Sequence, residues 1–214
     1  MTNDRYPGYD VLDKRNTPSW NEQTRRVVDA RLAIPREPRF FSESEWQTLS
    51  AVCDRIIPQP KDRAPVPLPA YVDAKLLANR GDGFRNAKLP PQREAWKRGL
   101  AALDRDARRI GGARFHELDV ARQDALLKEM ERGELSGPAW GNMPSKLFFS
   151  HRVIPDITSS YYAHPTAWSE IGYGGPTAPR GYVRMGFDRR DPWEAVEAKP
   201  GQEGAARREN RRVG

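Results

Sequence analysis

The stretch Phe41-Ser42-Glu43-Ser44-Glu45-Trp46-Gln47-Thr48-Leu49-Ser50-Ala51-Val52-Cys53-Asp54-Arg55-Ile56-Ile57-Pro58 decides the fold class. Ser42 and Glu45 have capping-box spacing: the hydroxyl accepts from the third amide while the carboxylate reaches back to the cap. Phe41 stands where a hydrophobic staple sits. Trp46, Leu49, Val52, Cys53, Ile56 and Ile57 then recur at three- and four-residue steps, one apolar stripe of a helix. Pro58 and Pro60 stop it, because proline removes a donor and crowds the preceding turn.

Working outward, the same period returns. Pro69-Ala70-Tyr71 opens a second helix through about Asn79, with Tyr71, Leu76 and Leu77 as its apolar side. Gly81-Asp82-Gly83 is a turn. A third helix runs from Pro91 to Ile110 on the stripe Trp96, Leu100, Leu103, Ala107 and Ile110, and Gly111-Gly112 ends it. Asp119 is an N-cap for a fourth helix through Arg132, with Leu126, Leu127 and Met130 inward. A fifth starts at Met143-Pro144 and carries Leu147, Phe148, Val153, Ile157 and Tyr161; Pro155 should kink or split it. No stretch alternates as a strand does. The spacing predicts an all-α fold, a small bundle of about five helices over residues 40–163. An irregular N-terminal arm, residues 1–39, would precede it. An aromatic, Gly/Pro-rich arm, residues 164–194, and a flexible charged tail, residues 195–214, would follow.

Composition limits the partners. The 214 residues are 37% hydrophobic and 30% charged, with 19 Pro and 17 Gly, and the mean hydropathy is -0.82. That is thin for a wholly compact chain and leaves length for irregular arms. The net charge of +7 raises the alternative of a basic helical nucleic-acid-binding protein. Its distribution speaks against it: residues 1–39 carry 8 basic and 6 acidic groups, and residues 184–214 carry the same. Affinity for phosphates needs clustered cations that release counterions together, and here acids are interleaved throughout. No nucleic acid is expected. The single cysteine, Cys53, excludes an internal disulfide and a Cys-rich metal or iron–sulfur site. No run reaches the ~20 apolar residues of a membrane span. No signal peptide is evident either; Thr24-Arg25-Arg26-Val27-Val28 is followed by the charged Asp29-Ala30-Arg31-Leu32 where an apolar region should begin. A cytoplasmic location is expected, the alternative being periplasmic by co-export with a partner.

Nothing in the chain gathers catalytic chemistry. His116, His151 and His164 lack the spacing of a metal ligand set, and no Gly-x-Ser-x-Gly elbow is present. Gly172-Tyr173-Gly174-Gly175 looks like a phosphate loop, but Pro176 and Pro179 prevent the helix that a dinucleotide site requires. The expectation is no catalytic, cofactor-binding or metal residue in this chain. The informative stretch is 161–193, where Tyr161, Tyr162, Trp168, Tyr173, Tyr182, Phe187 and Trp193 are interleaved with Arg180, Arg184 and glycines. Trp, Tyr and Arg are enriched at binding hot spots, and glycine lets a backbone lie close to another surface. Trp168, Tyr173, Gly174, Arg180, Tyr182 and Trp193 are therefore the candidate partner-binding residues. The other reading is that this arm wraps back over its own helices and completes a thin core.

The order of several short motifs resembles the gluconate 2-dehydrogenase subunit 3 family over about residues 40–194. The motifs are Phe41-x4-Trp46, Arg55-Ile56-Ile57-Pro58, Ala70-Tyr71-Val72-Asp73, Trp96-x2-Gly99-Leu100, Leu103-Asp104, Phe115-x2-Leu118 and Phe148-Phe149. They continue through Tyr161-Tyr162-x-His164-Pro165, Trp168-x-Glu170-Ile171-Gly172-Tyr173-Gly174-Gly175-Pro176 and Pro179-Arg180-Gly181-Tyr182. The resemblance implies a non-catalytic small subunit that binds, stabilises and helps assemble a larger catalytic subunit. That partner would be a glucose–methanol–choline type oxidoreductase carrying FAD and oxidising a sugar, glycoside or polyol. Some such complexes add a cytochrome c subunit. Many members carry a twin-arginine signal, and this sequence departs from them there.

Overall fold

The computed structural model describes residues 4–177 and 181–212. Among the described residues there are nine α-helices and no strand. In chain order they are α1 (Glu22–Leu32), α2 (Glu43–Ile56), α3 (Leu68–Ala78), α4 (Gln92–Gly111), α5 (Val120–Arg132), α6 (Ser145–Phe148), α7 (Ile154–Tyr162), α8 (Pro165–Glu170) and α9 (Glu203–Asn210). The chain divides into a central unit, Pro35–Ser160, and a terminal unit made of Met1–Ile34 with Tyr161–Gly214.

The central unit is built around α2 and α4. Ser42 and Glu45 form the expected capping box, with the Ser42 amide donating to Glu45 Oε2 at 2.8 Å and the Glu45 amide to Ser42 Oγ at 3.3 Å. Leu49, Val52 and Cys53 bury one face of α2 against α3, α4 and α5. Burial of Cys53 pushes its thiol well above the ordinary range, so it packs as a small hydrophobe. The α4 face is Ala95, Trp96, Gly99, Leu100, Leu103 and Ala107, whereas Ile110, expected in the same stripe, is exposed in the last turn. Trp96 and Phe148 meet edge to face at 5.4 Å, and Trp140 lies 6.1 Å from Phe148. The interior of this unit is an aromatic knot in the geometry that ring quadrupoles favour.

Buried carboxylates fix how the helices join. Asp73 accepts the backbone amides of Arg39, Phe40 and Phe41 at 2.9–3.1 Å, and so holds the approach to α2. That turns the buried side of α3 to Ala70, Val72, Asp73 and Leu76, and leaves Leu77, expected inward, exposed. Asp104 accepts from Thr48 Oγ1 at 2.9 Å and from the Phe115 amide at 3.1 Å. Asp156 accepts the Trp96 indole N–H at 2.7 Å and the Lys75 ammonium at 2.8 Å. Each would be costly unpaired, and each is paired.

The expected last helix is split ahead of Pro155, into α6, a π-turn and α7. Residues Phe149–Val153 widen into a π-turn, and the Ile154 amide donates five residues back to the Phe149 carbonyl. The π-turn puts Pro155 in the first turn of α7, the part of a helix that tolerates proline best.

The terminal unit corrects the expectation of an irregular arm over residues 1–39. A 3-10 helix, Val11–Asn16, and α1, capped by Asn21 Oδ1 at the Thr24 amide, lie within it. Tyr9, Val11, Trp20, Val28 and Trp168 form its core. The tail expected to be flexible over residues 195–214 is partly helical. Asn210 is fully buried, donating to the Pro7 and Val196 carbonyls and accepting the Val196 amide. Arg5 adds an ion pair to Glu197, and the Ala198 amide donates to the Arg5 carbonyl at 2.9 Å. Residues 5–7 are thus tied to residues 196–210 by one backbone bond, the Asn210 side chain and an ion pair.

Candidate functional site

Within the terminal unit the aromatic segment separates into a buried and an exposed set. His164 begins α8 by accepting the Thr166 amide at its Nδ1, with Pro165 at the first helical position. The single long turn of α8 points Trp168 inward. Its indole N–H donates to the Tyr162 carbonyl at 2.7 Å, and the Arg31 guanidinium lies 5.5 Å above its ring. Only 3% of Trp168 is exposed, and 9% of Trp193. Both were expected to face a partner, and both are core. The neighbours of Trp168, namely Tyr9, Val11 and Trp20, come from residues some 150 positions away, out of reach of any local pattern.

Gly172-Tyr173-Gly174-Gly175 follows the carboxyl end of α8, so the helix beside it in sequence turns its carbonyl end, not its amides, toward it. That is the reverse of a dinucleotide site, where the amides of a following helix hold the pyrophosphate. The glycines serve packing instead. Gly172 and Gly175 have φ of +68° and +69°, and a Cβ at Gly175 would stand 3.1 Å from the Trp168 ring. Gly174 runs past the ammonium of Lys14, which a Cβ there would meet at 3.0 Å.

Tyr173 and Tyr182 face each other across this turn with their hydroxyls 2.5 Å apart, and Tyr182 also donates to the Gly175 carbonyl at 3.3 Å. Burial, and then the bond to Tyr182, push the Tyr173 hydroxyl up to about 12. A cavity of about 640 Å³ lies here, lined by Tyr173, Tyr182, Val183 and Trp193 together with Lys14 and Arg184. Arg180 lies outside the described residues.

Beyond Tyr182 the chain turns its apolar groups to solvent. Tyr182 is 68% exposed, Val183 and Met185 are similarly bare, and Phe187 is 94% exposed. The backbone under them is braced. Arg184 grips Glu194 with two bonds of 2.8–2.9 Å, the Met185 amide donates to Asp191, and the Asp191 amide to Glu194. The Arg189 amide closes a turn on the Gly186 carbonyl with Phe187 at its tip. Val183 and Met185 were not singled out from the sequence. Their alternation with ion-paired Arg184 was the signal available. Of the five described candidates, the structure brings Tyr173, Gly174, Tyr182 and Trp193 together around one cavity, buries Trp168, and leaves Tyr182 as the most exposed side chain.

Among the described residues no group of three or more His, Cys, Asp or Glu side chains could hold a metal ion, and no helix is long and apolar enough to cross a membrane. What remains is a small helical protein whose motif residues stabilise the fold and whose bare aromatic segment has no cover of its own. Residues 43–175 match the model of gluconate 2-dehydrogenase subunit 3, and the chain belongs to that family. Membership makes it an accessory subunit of a multi-subunit dehydrogenase complex. No curated protein and no solved structure matches it.

Proposed function

We propose that this chain is a non-catalytic small subunit that binds, stabilises and helps assemble an FAD-dependent, glucose–methanol–choline type dehydrogenase acting on a sugar, glycoside or polyol. The flavin belongs to that partner, and in some complexes a cytochrome c subunit would carry the electrons onward. The observation that supports the reading is the braced segment of residues 182–187, which holds Tyr182, Val183, Met185 and Phe187 in solvent. Contiguous exposed apolar surface on a folded unit marks an interaction site, and aromatic anchors beside arginine are the usual hot spots. Family membership supplies the kind of partner. Trp168 and Trp193 contribute from below, by shaping the unit rather than by touching the catalytic subunit.

The test is co-expression of the full chain with the flavoprotein encoded beside it, tagging this chain alone. A flavin spectrum in the eluate, with a larger second band at fixed ratio, is the expected result. A colourless monomeric eluate overturns the proposal.

A further inference from the structure

Exposed aromatic surface also occurs in the central unit, on the loop that joins α3 to α4. Residues 77–85 are solvent-exposed without a break, and Phe84 is 88% exposed. A loop of this kind, with no buried apolar residue before Leu89, would ordinarily be left loose. This one is pinned by charge. Asp82 accepts from Lys75 Nζ at 2.7 Å and from Arg152 Nη1 at 2.9 Å, and the Arg152 side chain is only 9% exposed. Lys75 is itself shared with buried Asp156, which also holds the Trp96 indole. Burial works against the Lys75 charge, but its bonds to Asp156 and Asp82 outweigh that and raise its pKa. The Asp82 carboxyl is likewise held below its ordinary range, the bonds from Lys75 and Arg152 outweighing its burial.

Gly83, with φ of +82°, turns the chain directly after this anchor, and Phe84 follows with its ring in water. The ion pairs stabilise the unit, but an aromatic ring held in water adds nothing to the isolated chain. The charges of the loop left without an ion pair are of one sign. Arg80, Arg85 and Lys88 lie in the same loop, and no carboxylate among the described residues pairs with any of them; Arg85 donates instead to the Leu89 carbonyl. The one acid of the loop, Asp82, is already taken by Lys75 and Arg152.

We propose that the Phe84 loop is a second docking element, seating its ring in an apolar socket rimmed by carboxylates on the dehydrogenase partner. This rests on the accessory-subunit reading above. The ring supplies the anchor, and the three cations match an acidic rim. The buried ion pairs hold the tip in its bound geometry beforehand, which lowers the ordering cost of association.

The test measures affinity and rates for the full chain binding the isolated flavoprotein subunit, at two salt concentrations. Phe84→Ala is expected to lower affinity roughly tenfold or more, chiefly through faster dissociation. Reversing Arg80, Arg85 and Lys88 to Glu is expected to slow association and flatten its salt dependence. Neither variant should move the thermal midpoint of the free chain appreciably, since all four side chains lie at the surface. If the wild type binds and Phe84→Ala binds equally well, this proposal falls while the accessory-subunit reading stands. If the wild type captures no flavoprotein, both fall. If Phe84→Ala instead abolishes self-association and leaves flavoprotein binding unchanged, the socket belongs to a second copy of this chain, and the proposal is overturned.

Discussion

The ring of Phe148 occupies the space that a side chain at Gly99 would need: a Cβ there would stand 2.3 Å from its Cε1 and Cζ atoms. Phe148 has nowhere to retreat, since Trp96 and Trp140 pack on it at 5.4 and 6.1 Å. The glycine of the Trp96-x2-Gly99-Leu100 motif is therefore a packing residue. Gly99→Ala should destabilise the central unit by about 1–3 kcal/mol, the usual cost of overpacking. Urea unfolding with a lowered midpoint and an unchanged slope would bear this out, and an unshifted midpoint would refute it.

A second expectation concerns acid. The folded pKa of Asp82 lies below its ordinary 3.8, so its contribution to stability is present above that value and is lost as pH falls through the lower folded one. Wild type should exceed Asp82→Asn in stability at neutral pH, and the gap should close below about pH 4. Thermal midpoints across a pH series measure it; a gap that persists at pH 2 would show that the carboxylate charge is not what matters.

Asp156 should tolerate change far less well. Its side chain is 2% exposed and joins Lys75 to the Trp96 indole. Asp156→Ala leaves both donors short of a partner and is expected to cost about 3–5 kcal/mol, whereas Asp156→Asn can still accept from Trp96 and should cost less. Equal losses in the two variants, read by chemical denaturation, would contradict the network.

The buried and exposed aromatics of the terminal unit should behave oppositely. Trp168→Ala is expected to cost about 3–5 kcal/mol of stability, since it empties a core position. Phe187→Ala should leave the free chain within about 0.5 kcal/mol of wild type and weaken the complex with the flavoprotein. Thermal unfolding of the free chains and titration of the complex separate the two effects; a complex indifferent to Phe187→Ala would remove that residue from the interface.

The tyrosine pair gives a spectroscopic test. Tyr173 should ionise near pH 12, with burial the larger cause and the Tyr182 bond the smaller. Tyr182→Phe should lower that value without returning it to the ordinary 10. The ultraviolet difference spectrum during alkaline titration follows it directly.

The central helices were legible because their signals are local. Ser42 and Glu45 sit three residues apart, and Leu49, Val52, Leu100, Leu103, Leu126 and Met130 repeat at the helical period. The terminal helices were not legible. α1 buries only Thr24 and Val28, and α9 only Ala206 and Asn210, so neither carries a stripe to read. The same gap explains the two misplaced tryptophans. A tryptophan in a Gly/Pro-rich stretch looks identical whether its cover is another chain or the distant residues Tyr9 to Trp20. The role of Asp73 was hidden for a related reason. Its partners are amides, and amides leave no trace in composition.

The pairing of residues 5–9 with residues 196–210 also sets an order of events during synthesis. The stretch 35–160, a unit by itself, can acquire its core while translation continues. Tyr9, Val11 and Trp20 must meanwhile wait, as their cover from Trp168 is made some 150 residues later. A nascent chain therefore keeps these three side chains uncovered until well after the central helices have been made.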